Sequence, residues 1–342
     1  MFGKYPSSVI IVKRKTGNHL LSEEEIIPAM ASLKEVGERR LVSNIMSILR
    51  KSPDVDGTED DAAIVKTDKN TVVCSDLVTF ERHMPKGMSY EKFGWTAAAV
   101  TISDLAAMGA KPVGLLVSLA MPDEMDERDL YDIVSGIDQC TEFVETTVIG
   151  GDTKPGPGVI SCTALGTMEN RTPMMRNGAK KGDVVAVTGG LGGPAAGFKA
   201  LENGIEAEEA VFKLMTPIPM VYEGIALSGC GKVTSCMDLS DGLATAVNTI
   251  CEQSHVGIEI VSEFLPADPD VKEVSEKLNI PKKDLMLYWG GEYELLFTFP
   301  KDALEILQNT GVMFSIIGHV TDDDGAYLLE GKERTRLEHG CY

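Results

Sequence analysis

Residues 90–109 read YEKFGWTAAAVTISDLAAMG, and the fold class follows from this stretch. Its length and alanine content predict a helix over residues 90–108 that ends at Gly109. The apolar run 113–120 then predicts a strand, and residues 126–145 predict a second helix. Helices and strands alternate in this way along the rest of the chain, which predicts an α/β or α+β protein with two domains.

The remaining elements are predicted by the same signals. Ser22 begins a capping box that predicts a first helix, and a further helix is predicted over residues 38–49. Strands are predicted at 62–66, 71–75, 147–149, 159–167, 184–188, up to Met237, near 257–260, and at 294–299 and 313–319. A glycine-rich loop followed by a helix is predicted over 189–201, and further helices are predicted from about Leu243 and over 301–308.

A polar, basic segment at residues 169–182, which contains Pro173, marks the predicted domain boundary. We therefore expect an N-terminal arm with the first helix in residues 1–35. An N-terminal domain is expected in residues 36–170 and a C-terminal domain in residues 171–342.

The chain is strongly acidic, with 32 Lys+Arg against 52 Asp+Glu in 342 residues and a formal net charge of −20. This balance argues against nucleic acid or an anionic membrane as the main partner, because both attract clustered Lys and Arg. The longest apolar run, 113–121, is far shorter than the roughly 20 residues that a membrane helix needs. The seven cysteines form no CxxC pair. We expect a cytoplasmic protein with reduced thiols.

Five aspartate-bearing segments each lie at the end of an apolar strand or inside an apolar helix. They are Glu59-Asp60-Asp61, Ser75-Asp76, Ser103-Asp104, Gly151-Asp152 and Asp238-Leu239-Ser240-Asp241. A carboxylate in such a position is costly unless it is paired, hydrogen-bonded or bound to a metal. Converging carboxylates repel one another and need divalent cations, and Mg²⁺ takes oxygen ligands and bridges to phosphates. Taken together, the five segments favour one shared Mg²⁺ site.

Each segment alone has an ordinary structural explanation. Asp76 and Asp152 fit turns or caps, and the segment Ser240-Asp241-Gly242 fits a helix N-cap. Asp104 is harder to explain in this way, because it lies in the middle of an apolar helix.

Other motifs also leave two explanations open. The glycine-rich stretch 189–194 either holds a phosphate on backbone N–H groups or lets a helix and a strand pack closely. Arg176 is either a bidentate phosphate donor or a surface arginine. His83 is either part of a site with the acidic cluster, which it follows closely in sequence, or an ordinary solvated histidine. The glycines before Glu292 allow either close approach to a ligand or a tight turn.

Eight motifs occur in a characteristic order, at residues 37–39, 60–63, 75–78 with His83, 103–110, 150–153, 176–183, 237–243 and 290–297. This set closely resembles the thiamine-monophosphate kinases, which belong to the aminoimidazole-ribonucleotide synthetase-like superfamily. The resemblance implies a two-domain fold and a homodimer. Its N-terminal domains would bind ATP and Mg²⁺ and pair through their sheets. It also implies direct transfer of the γ-phosphoryl group of ATP to thiamine monophosphate, which gives thiamine diphosphate.

The same resemblance implies roles for individual residues. Several Mg²⁺ ions are expected at Asp60, Ser75, Asp76, Asp104, Asp152, Asp238 and Asp241. ATP is expected at Gly151, Asp152, Arg176 and Ser240, and thiamine monophosphate at His83 and Glu292. Asp241 and Arg176 are expected to act in catalysis. No general base is required, because a phosphate oxygen is already an anionic nucleophile.

The chain departs from the family pattern at several positions. Glu59 replaces a common glycine, one aspartate is absent between Glu292 and Tyr293, and an aromatic residue of the ATP pocket is replaced around Ser135. The last residues are His-Gly-Cys-Tyr, where the family often ends in Gly-aromatic-x-His-Phe.

Two alternative functions stay open. One is another ATP-using enzyme of the superfamily, and the other is a non-catalytic relative that binds Mg-nucleotide. Selenophosphate synthetase is disfavoured because no cysteine precedes Cys74, and the hydrogenase-maturation relative is disfavoured because Cys341 is penultimate and follows His-Gly.

Overall fold

The computed structural model describes residues 9–12, 25–28, 55–56, 63–65 and 70–340. The chain divides into two compact units, residues 1–52 and residues 53–342. In the first unit, β1 (Val9–Val12) pairs antiparallel with β2 (Glu25–Pro28). The helix predicted from Ser22 is therefore wrong over residues 25–28. The physical reason is that Ile26 and Ile27 are β-branched and pair with a second β-branched run.

The second unit begins with a six-stranded sheet in the order β3-β4-β5-β8-β6-β7. Its strands are β3 (Val55–Asp56), β4 (Ala63–Val65), β5 (Thr71–Thr79), β6 (Lys111–Met121), β7 (Val148–Pro155) and β8 (Val159–Thr167). Neighbouring strands are antiparallel except β6 and β7, which are parallel and need a crossover connection.

Three helices accompany this sheet: α1 (Phe80–His83), α2 (Tyr90–Met108) and α3 (Glu127–Phe143). The predicted bounds of α2 are confirmed. The Ser89 hydroxyl accepts the Lys92 N–H at its start, and Gly109 ends it in the left-handed conformation with φ +72°. Helix α3 approaches α2 closely where glycines lie between them, at Gly94 of α2 and Gly136 of α3. A Cβ on Gly136 of α3 would lie 1.8 Å from the Glu91 carbonyl oxygen.

A second, seven-stranded sheet follows in the order β10-β12-β9-β13-β11-β14-β15. Its strands are β9 (Asp183–Thr188), β10 (Ser235–Asp238), β11 (Gly257–Val261), β12 (Leu295–Pro300), β13 (Phe314–Thr321), β14 (Gly325–Glu330) and β15 (Glu333–Arg336). Its helices are α4 (Gly193–Asn203), α5 (Glu208–Met215), α6 (Val221–Cys230), α7 (Leu243–Ser254), α8 (Val271–Leu278), α9 (Lys282–Leu287) and α10 (Leu304–Gln308). Short 3₁₀ turns lie at Ser262–Phe264 and Lys301–Ala303.

Helix α2 joins the two sheets. It packs on β5, β6 and β8 of the first sheet and also contacts β10, at the edge of the second sheet. One hydrophobic cluster contains the buried side of α2 together with Phe297 and Phe299 of β12. A second cluster, which contains Leu296 and the buried side of α7, lies on the other face of the second sheet. The second sheet is therefore covered on both faces, and α2 lies where the two sheets meet.

The predicted mixed α/β class is confirmed. The predicted division between residues 170 and 171 stays a prediction, because residues 53–342 form one compact unit. The helix predicted over residues 38–49 lies outside the described residues. The described part of the chain has no helix that is both long and apolar enough to span a bilayer. The six cysteines in that part are free thiols, as expected.

Candidate functional site

Two consecutive residues of α2 contact side chains on different sheets. The Ser103 hydroxyl donates to Asp238 Oδ2 at 2.6 Å, and both residues are fully buried. Asp238 is the last residue of β10. A serine of the helix on the first sheet therefore holds a carboxylate at the edge of the second sheet.

The next residue of α2, Asp104, lies beside β5. The Cys74 thiol of β5 donates to the Thr101 carbonyl at 3.1 Å and is also in hydrogen-bonding contact with the Asp104 side chain. Burial raises the pKa of Cys74 well above its usual value, and the charges of Asp104 and Asp76 raise it further. Asp76 and Asp104 therefore lie on the same side of the first sheet, around one buried thiol.

Asp241 follows Asp238 in a loop that is tied to residues 290–294. The Leu239 N–H donates to the Glu294 carbonyl at 2.9 Å, and the Gly291 N–H donates to the Ser240 carbonyl at 2.9 Å. The pairing of β10 with β12 thus continues past the ends of both strands. It joins the sequence motif at residues 237–243 to the motif at residues 290–297. Asp241 is exposed, and the N-cap residue of α7 is Gly242, so an N-cap role does not account for Asp241.

Arg176 lies along β10. The Cys236 N–H donates to the Met175 carbonyl at 2.9 Å, and the Ser254 hydroxyl donates to the Arg176 carbonyl at 3.4 Å. These bonds hold the half-buried Arg176 beside the strand that ends at Asp238. The structure therefore places the Arg176 backbone beside the first half of β10 and at the C-terminal end of α7, whose other end follows the acidic loop.

Two predicted residues lie on the other, open face of the first sheet. Side chains alternate along a strand, so Ser75 and Asp76 point to opposite faces. The Ser75 hydroxyl contacts the Cys162 carbonyl at 2.8 Å and the Thr163 hydroxyl at 2.9 Å on this open face. Asp152, on the edge strand β7, also lies there, since it pairs with the exposed Ser118 of β6. The structure thus separates Ser75 and Asp152 from Asp76 and Asp104.

Asp152 has a cation of this chain beside it. Lys154 Nζ lies 3.0 Å from Asp152 Oδ1, and this contact lowers the pKa of Asp152. Together with Gly151 the pair lies in β7, all of which is exposed. The two charged residues line a shallow depression of about 170 Å³ with Ser118, Leu119, Ala120, Val159 and Ser161.

His83 lies at the end of α1, just beyond β5. Its Nδ1 accepts the Thr79 N–H at 3.0 Å, and the ring is exposed. Asp60, which was also predicted as a metal ligand, lies outside the described residues.

The glycine-rich loop before α4 binds two carboxylates of the chain itself. The Gly192 N–H donates to Glu292 Oε1 at 3.1 Å, and the Gly193 N–H donates to Asp268 Oδ2 at 3.1 Å. Lys213 Nζ lies 2.5 Å from Asp268 Oδ1. Two N–H groups that a phosphate would need are therefore occupied, which favours the packing explanation of this loop. Sequence reasoning missed Asp268 and Lys213, because neither residue lies in a motif.

Glu292 is buried in the same cluster, with only 8% of its surface exposed. Burial raises its pKa to about 8. The hydrogen bond from the Gly192 N–H opposes this shift, and the charge of Asp268 adds to it. Its Oε2 has no hydrogen-bond partner within the described part of the chain. Burial also raises the pKa of Glu294 to about 7, although the Thr188 hydroxyl donates to it at 2.7 Å. Glu292 therefore faces the glycine-rich loop.

The acidic residues around α2 have the oxygen ligands that Mg²⁺ prefers. In residues 70–340 and the short described segments before them, no three Asp, Glu, His or Cys side chains lie close enough together to hold a metal. Mg²⁺ does not need such a cluster, since it is usually bound by one or two carboxylates, with water and substrate phosphates as its other ligands. Asp76, Asp104 and Asp238 fit that mode of binding.

Comparisons with known proteins identify the family of the chain. The family model of the AIR synthase related protein, N-terminal domain, matches residues 59–168, and that of the C-terminal domain matches residues 180–329. The thiamine-monophosphate kinase of Methanopyrus kandleri is 36% identical over 84% of this chain and 90% of its own length. That of Pyrococcus abyssi is 33% identical over 86% of this chain and 92% of its own length.

A solved structure has the same fold over nearly the whole chain. It is AaThiL complexed with AMPPCP and TMP, with a TM-score of 0.80 and 28% sequence identity. The similarity covers 91% of this chain and 99% of the AaThiL chain.

The raised pKa of Glu292 predicts a pH-dependent stability. An unfolded glutamate titrates near 4.5 and the folded Glu292 near 8, so the folded state holds the proton more tightly. Its contribution to the free energy of unfolding is fully present below pH 4.5 and is lost as the pH rises through 8. The variant Glu292→Gln keeps an uncharged acceptor for the Gly192 N–H and cannot ionise. The free energy of unfolding of this variant should therefore fall less between pH 5 and pH 9 than that of the wild type.

Urea denaturation at a series of pH values measures this difference, which approaches about 1.4 kcal/mol per pH unit in the middle of the range. Glu206→Gln, at an exposed glutamate, is the matched control and should follow the wild type. Parallel pH profiles for Glu292→Gln and the wild type would contradict the prediction.

Proposed function

The chain belongs to the thiamine-monophosphate kinase family, and we propose how its own residues carry out the reaction of that family. It transfers the γ-phosphoryl group of ATP to thiamine monophosphate and so forms thiamine diphosphate and ADP. The similarity to the Methanopyrus kandleri kinase supports this function, as does the similarity to a structure that contains AMPPCP and TMP.

The observation that carries the proposal is that α2, β5 and β10 each place a carboxylate along α2. Asp238 is hydrogen-bonded to Ser103, and Asp104 and Asp76 lie beside Cys74. Both substrates carry phosphate, and two anionic groups repel each other by several kcal/mol at a low effective dielectric constant. Bound Mg²⁺ neutralises the charge on the phosphate oxygens. We propose Asp76, Asp104, Asp238 and Asp241, together with Asp60, as Mg²⁺ ligands of this site. Ser75 and Asp152 lie on the other face of the first sheet and would bind a separate Mg²⁺ ion.

Other residues bind and orient the two substrates in this proposal. Arg176 binds phosphate as a bidentate donor, because its planar guanidinium group matches the geometry of phosphate oxygens. Gly151, Asp152 and Ser240 complete the ATP site, and His83 and Glu292 contact thiamine monophosphate. Asp241 and Arg176 act closest to the transferred group. Catalysis then depends on positioning and charge neutralisation, with no general base.

The open face of the first sheet supports a homodimer. Leu77, Val113, Leu116 and Ile149 are exposed on the first sheet, each with at least 40% of its surface accessible. Such a concentration of aliphatic side chains is typical of a protein–protein interface. A second copy of this chain would present the same face, as a two-fold interface requires. We propose that the two N-terminal sheets pair there and that the protein is cytoplasmic.

The proposed activity predicts a defined product. The purified protein with Mg-ATP and thiamine monophosphate should form thiamine diphosphate and ADP in equal amounts, as measured by chromatography. Without added Mg²⁺, and with excess chelator, product formation should stop. Tight nucleotide binding without turnover would instead support a non-catalytic relative. Turnover of formylglycinamidine ribonucleotide would support another enzyme of the superfamily.

The shared metal site predicts the effect of removing single carboxylate charges. Asp104→Asn and Asp241→Asn should each lower kcat by about 100-fold or more, because preorganised charge contributes on that scale. Circular dichroism should show an unchanged fold, since the amide is isosteric. Asp132→Asn, at an exposed position of α3, is the control and should keep full activity. Near-normal turnover of Asp104→Asn at limiting Mg²⁺ would exclude the shared site.

The proposed dimer predicts a change of mass in solution. The wild type should have the mass of two chains by light scattering, and Leu77→Glu with Leu116→Glu should give monomers, since buried charges oppose pairing. Met313→Glu, at a residue that is 84% exposed just before β13, should remain dimeric. A monomeric wild type, or a dimeric double variant, would contradict this interface.

A further inference from the structure

We propose that Ser103 is a positioning residue that orients the Asp238 carboxylate for Mg²⁺ binding. The inference rests on the proposed function, because it concerns a ligand of the same metal site. It starts from one contact: Ser103 and Asp238 are 135 positions apart, 0% and 1% exposed, and 2.6 Å apart between Oγ and Oδ2.

The burial of this hydrogen bond restricts both partners. A hydroxyl group that donates to an ionised carboxylate forms a stronger hydrogen bond than a neutral pair does. A serine hydroxyl has a single proton, and here that proton is committed to Oδ2. The contact therefore fixes the rotation of the Asp238 carboxylate in the interior. Mg²⁺ demands near-ideal octahedral geometry, so this rotation matters for binding.

Ser103 lies next to a second acidic group of the proposed site in α2. Asp104 follows it directly, and consecutive residues of a helix point about 100° apart. One side chain reaches β10 while the next reaches Cys74 of β5. The Ser89 cap and Gly109 fix the two ends of the helix. One turn of a rigid helix therefore sets the spacing between the Asp104 and Asp238 carboxylates.

A hydrogen-bonded neighbour of a metal ligand affects metal affinity strongly. Removing such a neighbour typically costs about 10- to 100-fold in metal affinity or activity. A serine that only joined two sheets would instead affect the stability of the fold and leave the metal affinity of the folded protein unchanged. The two roles therefore separate in a binding measurement.

The test measures Mn²⁺ binding to the substrate-free full-length protein by the electron paramagnetic resonance signal of free Mn²⁺. Ser103→Ala removes the donor, and Ser103→Cys keeps the approximate volume but offers a weak donor. Both should weaken Mn²⁺ binding by about 10-fold or more, and both should raise the Mg²⁺ concentration that gives half-maximal activity. Ser235→Ala is the matched control. It lies on β10, is fully buried and contacts the Thr298 hydroxyl, away from the site. It should bind Mn²⁺ like the wild type.

Unchanged Mn²⁺ affinity in Ser103→Ala, equal losses in Ser235→Ala, or no Mn²⁺ binding by the wild type would each overturn the inference. Failure of the proposed function looks different. A wild type that forms no thiamine diphosphate, yet binds Mn²⁺ with an affinity that depends on Ser103, would overturn that function and support the positioning role.

Discussion

The hydrogen bond between Ser103 and Asp238 is the contact on which the geometry of the site depends. It crosses from the helix of the first sheet to the edge of the second sheet, inside a region from which water is excluded. A carboxylate buried to that extent is stable only when it is paired, hydrogen-bonded or metal-bound. The same helix turn carries Asp104 to the first sheet, so one rigid element sets the relative positions of acidic groups that are far apart in sequence.

This arrangement suits a reaction between two phosphates. The protein has little covalent chemistry to perform, and its task is to hold charge in place. At α2 and β10 the buried hydrogen bond between Ser103 and Asp238 holds a carboxylate in place. Exposed contacts dominate on the open face of the first sheet, where Asp152 pairs with Lys154. The glycine-rich loop, by contrast, is held by Glu292 and Asp268, which favours a packing role for the loop.

Much of the fold was predictable from local sequence. The bounds of α2 followed from its alanine content and Gly109, and the strand Val159–Thr167 followed from its β-rich run. Long-range partners were not predictable, because spacing does not say which carboxylate meets Ser103. The opposite directions of Ser75 and Asp76 needed the strand and its alternation. The capping box at Ser22 was misleading, since Ile26 and Ile27 pair as a strand. The family roles of Asp60, His83 and Glu292 stay predictions.

The most direct test is a crystal structure of the protein with Mg²⁺, a non-hydrolysable ATP analogue and thiamine monophosphate. The central claim is that α2 brings carboxylates of both sheets to one phosphoryl-transfer site. The account predicts Mg²⁺ ions at about 2.1 Å from oxygens of Asp104 and Asp238, with the Ser103 hydroxyl still bonded to Asp238. Metal ions and phosphates that bind elsewhere, with Asp104 and Asp238 in contact only with protein atoms, would contradict it.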